Sequence, residues 1–188
     1  MEERELFTVT VFSENRVGLL SLISNTFTRR KLNIETLSVS PSSIEGVHKF
    51  TITVVTEQST VAKLVKQIEK RIDVLKAFFY RDDEIVFQEI ALYKVPTRRL
   101  VSETSVEDII RKYGARILEM KSEYTVLELT GHHGETEALF EELKKYDIRQ
   151  FVRSGRVAVT KSAAEYVSEF LDQRAQSVEE AEDELLHQ

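Results

Sequence analysis

From Leu6 to Phe12 apolar and polar residues alternate, with Phe7, Val9 and Val11 in one phase, the period of a strand with one buried face. A polar stretch follows, Ser13-Glu14-Asn15-Arg16-Val17-Gly18. The period then lengthens: Leu19, Leu20, Leu22, Ile23 and Phe27 fall at helical spacing, up to the basic stop Arg29-Arg30-Lys31. Alternation returns over Ile34–Val39 and Phe50–Val55, around a hairpin-like segment from Pro41 to Gly46. Thr60–Arg71 places Val61, Leu64, Val65 and Ile68 on one helical face, and Val74–Tyr80 reads as extended. Strand, helix, strand, strand, helix, strand thus takes about eighty residues.

The order repeats. Ile85–Val95 predicts a long strand closed by Pro96, and Val106, Ile109, Ile110 and Tyr113 a helix that Ser105 N-caps and Gly114 ends. Arg116–Met120 and Tyr124–Leu129 predict two strands around Lys121-Ser122, and Thr136–Lys144 a helix. Ile148–Val159 reads as a strand interrupted by a bulge or tight bend at Ser154-Gly155. The expectation is an α+β protein of two tandem ferredoxin-like βαββαβ domains, residues 1–82 and 83–161, each an antiparallel sheet with both helices on one face. One face of each sheet is then bare, which calls for oligomerisation. Residues 162–188 form a helical acidic tail, with Ala164, Val167, Phe170 and Leu171 on one face of Ala163–Arg174 and a mobile end beyond Ser177.

Charge sharpens this division. The net charge is −6, and from Lys161 onward eight acids face two bases, so the body is neutral overall. Nucleic-acid binding needs a clustered basic face that a neutral body does not supply. No apolar stretch approaches the roughly 18 to 20 residues that span a bilayer. The acidic start Met1–Glu5 has no apolar core behind it, so no signal peptide is expected. The absence of cysteine removes disulfides, thiolate metal sites and a Cys nucleophile. A soluble cytoplasmic protein without membrane or nucleic-acid partners is expected.

Two places could bind a ligand. At Asn15-Arg16-Val17-Gly18 a strand gives way to a helix, whose orphan N–H groups and dipole suit a carboxylate or phosphate. Gly18 allows close backbone approach and the Asn15 amide both donates and accepts, yet an ordinary capped polar turn has the same composition. In Leu32-Asn33-Ile34-Glu35, Asn33 sits among apolar neighbours at the expected start of the second strand. It is either a turn residue or, in a sheet paired with a second subunit, a side chain delivered to that subunit's glycine turn. His132-His133 reads as a loop pair without further ligands, His48 as exposed at a strand entrance, and His187 as part of the tail. Arg153-Ser154-Gly155-Arg156, with Arg149 nearby, reads as a bulged strand with solvated arginines or as a polar contact to a partner protein. No nucleophile elbow, Ser/His/Asp order or paired buried carboxylates stand out.

SENRVGLLSLISNTFTRRKLNIETLSVSP resembles the opening of the small, regulatory subunits of acetolactate synthase (acetohydroxyacid synthase), which is an ACT domain. FVRSGRVAVTK and EIALYKVP resemble that family's later segments, so the likeness runs from about Leu6 to Lys161. It implies a non-catalytic chain that forms a homodimer through its ACT domains and binds valine or a related branched-chain amino acid between them. Such a chain activates the large catalytic subunit and confers feedback inhibition on it. Thiamine diphosphate, magnesium and FAD belong, on this resemblance, to the catalytic partner and not to this chain. The implied ligand-binding positions are Asn15, Val17, Gly18, Leu19, Leu20, Asn33 and Ile34. The sequence departs from the family at Leu19, where a small residue is common, and at Lys31, where glycine often stands. The rival readings are a self-sufficient enzyme, an ACT-type sensor of another enzyme, and an ACT-containing transcription regulator; no helix-turn-helix segment is present for the last.

Overall fold

The computed structural model describes residues 3–102 and 104–163. The chain divides into two compact units, Met1–Val86 together with residues from Thr160 onward, and Phe87–Val159. The proposed tail helix lies outside the described residues.

The first unit runs β1 (Glu5–Glu14), α1 (Leu19–Arg29), β2 (Thr36–Pro41), β3 (Val47–Thr56), α2 (Gln58–Glu69) and β4 (Val74–Tyr80). The sheet is antiparallel in the order β2-β3-β1-β4. The inward phase of β1, Phe7, Val9 and Val11, meets Leu19, Ile23 and Phe27 of α1 and Val61, Leu64, Val65 and Ile68 of α2 in one apolar core. Both helices therefore cover the same face, as the alternation requires. The opposite face is not open as expected. Its inner-strand residues Thr8, Thr10, Thr51 and Thr53 are all buried, and Thr53 shares a 2.7 Å hydroxyl contact with Thr36.

The second strand starts at Thr36, two residues later than Ile34. Helix α1 is closed by Lys31 in the left-handed region, φ 55°, with the Lys31 N–H donating to the Thr28 carbonyl and the Leu32 N–H to the Phe27 carbonyl. Residues 32–35 are then needed to carry the chain from that turn to the sheet.

A short 3-10 turn at Asp82–Glu84 leads into β5 (Ile85–Val95). The second unit continues with α3 (Thr97–Ser102), α4 (Thr104–Tyr113), β6 (Arg116–Met120), β7 (Thr125–Gly131), α5 (His133–Leu143), β8 (Gln150–Arg153) and β9 (Val157–Thr160). Its sheet follows β6-β7-β5-β8, with β9 also paired to β5. The bend at Ser154-Gly155 thus divides the last strand into two segments against one long neighbour.

Three expectations change here. Helix α3 follows Pro96 where no element was read, and α4 begins at Thr104, which puts Ser105 inside its first turn and not at the cap. His132 and His133 start α5 instead of lying in a loop, because the Glu135 carboxylate accepts the His132 N–H at 2.6 Å and caps the helix three residues earlier than the apolar pattern shows. Tyr93 is fully buried, and its hydroxyl donates to the Thr136 carbonyl at 2.7 Å. Burial also pushes ionisation of that hydroxyl well above the ordinary tyrosine range.

Candidate functional site

The glycine turn is built by three fixed points. The Glu14 N–H donates to the Asp73 carbonyl at 3.0 Å, and the Asn15 N–H to the Gly46 carbonyl at 3.1 Å. The Arg16 guanidinium bridges Glu14 at 2.9 Å and Asp73 at 3.0 Å. Gly18 precedes α1 at φ 88°, a left-handed conformation that glycine adopts without cost. A Cβ added there would meet nothing within 4 Å, so the space above the turn is open.

Helix α1 has no side-chain cap and no acid in its first turn, so its positive end faces that space uncompensated. The Leu19 N–H reaches the Arg16 carbonyl only at 3.4 Å, a long bond that leaves the donor available. The Leu19 side chain is buried in the core and contributes only its backbone here. Val17 is fully exposed at 108% and Leu20 at 48%, so an apolar edge stands beside the positive end of the helix. Exposed apolar groups next to convergent donors are what a hydrophobic amino acid would meet.

Asn33 is exposed and donates from its amide to the Glu35 carboxylate at 3.0 Å, while Ile34 is partly buried against the first core. Gly18 and Asn33 lie beyond opposite ends of α1, an 11-residue helix about 16 Å long. One chain cannot close both pieces around a molecule the size of valine. Asn15, Val17, Gly18, Leu19 and Leu20 come together; Asn33 and Ile34 do not join them within one chain.

A second cluster went unread in the sequence. Glu89 occupies the inward phase of β5 between Phe87 and Ala91, and its side chain is 3% exposed. Arg153 and Arg156 approach its carboxylate with Nε at 3.6 Å each, and His133 Nδ1 stands at 3.5 Å. Arg153 also donates to Glu137 at 2.6 Å and contacts His133 Nδ1 at 3.2 Å, while Arg156 lies 3.9 Å above the Phe87 ring. The hydrogen bond from Arg153 holds the Glu137 carboxyl below the usual carboxylate range. Glu89 Oε2 and Arg153 Nε, both buried, have no hydrogen-bond partner among the described residues. The arginines are therefore not solvated, as the sequence suggested; they fold inward onto a buried carboxylate. A carboxylate in the inward phase of a strict alternation was the available signal.

Among the described residues no group of three or more His, Asp or Glu side chains is placed to hold a metal ion, and no helix is long and apolar enough to cross a membrane. Comparison with known proteins places the two units. The family described as small subunit of acetolactate synthase matches residues 88–162, and the AHAS small subunit-like ACT domain matches residues 9–76. The acetolactate synthase small subunit of Bacillus subtilis is 34% identical over 169 residues, covering 88% of this chain and 95% of that protein.

The chain belongs to the acetolactate synthase small-subunit family.

The Mycolicibacterium smegmatis family member is 31% identical over 82% of this chain and 90% of its own length. The small-subunit crystal structure from Thermotoga maritima superposes with a TM-score of 0.77 at 23% identity, over 85% of this chain and 99% of that one. That structure has the same fold. The family's ACT match spans the glycine turn, Asn33 and Ile34; its C-terminal match spans Glu89, Arg153 and Arg156.

Proposed function

We propose that this chain is the non-catalytic regulatory subunit of a cytoplasmic acetolactate synthase and senses a branched-chain amino acid, valine, between the ACT domains of two copies. Thiamine diphosphate, magnesium and FAD reside in this reading on the catalytic chain, which the regulatory dimer activates when valine is absent and restrains when it binds. The observation that carries the site is the separation of Gly18 from Asn33 by the length of α1, which a second copy removes.

The amino acid's carboxylate meets the N–H groups around Val17, Gly18 and Leu19 at the uncapped end of α1. Its ammonium meets the Asn33 amide oxygen or backbone carbonyls of the other copy. Its isopropyl group lies against Val17 and Leu20 of one copy and Ile34 of the other, and Asn15 closes the polar side. A ligand of eight heavy atoms at ~1 kcal/mol per atom reaches roughly −8 kcal/mol, which is micromolar binding. A coupling of about 1 to 3 kcal/mol between this interface and the catalytic chain suffices for inhibition.

Gly18→Asp tests the reading. The new carboxylate stands ~4 Å from the position of the ligand's own and repels it by about 1 to 4 kcal/mol. Aspartate tolerates the left-handed conformation and the helix dipole, so the fold and the dimer survive. The variant should activate a catalytic subunit and no longer transmit valine inhibition. Unchanged valine affinity in calorimetry would remove the turn from the site. Loss of activation by a folded variant would assign the turn to the catalytic-chain contact instead.

A further inference from the structure

On the second unit, an open cleft of about 560 Å³ lies where β5 ends, α3 begins, the β6–β7 hairpin turns and β8 starts. Lys94, Arg98 and Arg149 line it from three different elements, and Glu123 is the one carboxylate among its lining residues. The backbone beneath is pinned. The Arg149 N–H donates to the Lys94 carbonyl at 2.8 Å, the Lys121 N–H to the Tyr124 carbonyl at 2.8 Å, and the Thr97 hydroxyl to the Lys121 carbonyl at 2.6 Å. The Lys94 ammonium stands 4.1 Å from the Tyr124 ring centroid.

Arg149 has Asp147 at 3.5 Å, and Arg98 has no ion pair among the described residues. Counted together, Lys94, Arg98, Arg149 and Lys121 face Glu119, Glu123 and Asp147, so one excess positive charge remains here in a chain of net charge −6. Cations gathered from three elements repel one another, an arrangement that a solvated surface avoids and a bound anion relieves. An adjoining hollow with Leu92, Val126 and Val152 in its wall, and the Glu119 carboxylate beside them, extends the cleft along the sheet and leaves room for a carbon skeleton. The volume is that of a small-molecule site.

We infer that this cleft binds a small polyanion carrying two or more phosphate or carboxylate groups, which makes it a second effector site apart from the amino-acid turn. The inference does not depend on the valine reading, and either can fail alone. Calorimetry of the full chain with inorganic pyrophosphate and, separately, with citrate tests it at low and at physiological salt. At least one anion should bind once per chain, more weakly at the higher salt, and the tighter of the two tells phosphate from carboxylate recognition. Lys94→Gln combined with Arg149→Gln should weaken that binding about tenfold or more, and Glu123→Gln should strengthen it, with folding followed by circular dichroism. No saturable binding of either anion at millimolar concentration overturns the inference, as does equal binding by wild type and the double variant. If the double variant does not fold, Glu123→Gln decides alone: unchanged affinity sinks the site.

Discussion

In the first domain the inward phase of the central strand is Phe7, Val9 and Val11, and among the described residues of that domain no charged side chain is buried. The corresponding strand of the second domain turns Phe87, Glu89, Ala91 and Tyr93 to the same side, and two arginines follow the carboxylate inward. The outward faces differ in the opposite sense. Thr8, Thr10, Thr51 and Thr53 line the first, whereas Ile90, Val152, Val157 and Val159 stand exposed in the second. One chain order therefore supports two distributions of polarity. Where the core holds no charge, the uncapped helix end stays outside it, at an open turn; where charge is built inside, its removal threatens the whole domain.

The largest break in that contrast is Glu89→Ala. Arg153 and Arg156 would lose the buried carboxylate they share, with Glu137 still paired to Arg153, at a cost of about 3 to 5 kcal/mol; Glu89→Gln removes the same charge and should cost nearly as much. Urea unfolding of the full chain checks this, and a midpoint like that of wild type would mean the cluster is already hydrated.

Acid should separate the domains next. Glu128 is held below the carboxylate range by the Thr130 hydroxyl and by Arg116, Glu137 by Arg153, Glu142 by Lys112 and Tyr113, and Glu119 by Tyr124 and Lys121. All four lie in the second domain. A carboxylate depressed in the folded state stabilises fully above its unfolded value, about 4.3 for glutamate, and this is lost as pH falls through the folded value. Amide exchange followed from neutral pH downward should show the second domain losing protection first; earlier loss in the first would reverse the comparison.

Two smaller substitutions sharpen the first domain's side. Gly18→Ala meets no atom within 4 Å, so only the left-handed backbone resists it, at about 1 kcal/mol. Thermal melting should register that cost. Lys31→Gly acts in the other direction, since Lys31 holds φ 55° with a Cβ, and a gain of up to ~1 kcal/mol is expected. A destabilised Lys31→Gly would show that the lysine side chain holds the α1 end in some other way.

Much of this was legible in the chain. Val74–Tyr80, Ile85–Val95 and Arg116–Met120 have the bounds read from the sequence, and in Ile85–Val95 the alternation is that of one buried and one more exposed face. The glycine turn was legible because a φ of 88° needs glycine. Periodicity could not show α3 after Pro96, nor that α5 begins at His133, where the Glu135 carboxylate and not an apolar residue sets the first turn. Nor could it show Glu89, since alternation gives the side of the sheet but not the partners that neutralise a charge there. Arg153 and Arg156 lie more than sixty residues away, and only pairing of β8 and β9 with β5 brings them in.

The chain leaves the first unit after Val86 and re-enters it at Thr160, and across that gap the Lys161 N–H donates to the Glu84 carbonyl at 2.9 Å while Lys161 Nζ reaches the Asp83 carbonyl at 2.8 Å. The chain thus leaves the first unit and returns to it at neighbouring points. A module so attached can be exchanged by recombination without lengthening the host's loop, because closing the gap needs only a few residues of linker. The ACT unit is free, in evolutionary terms, to carry a different passenger.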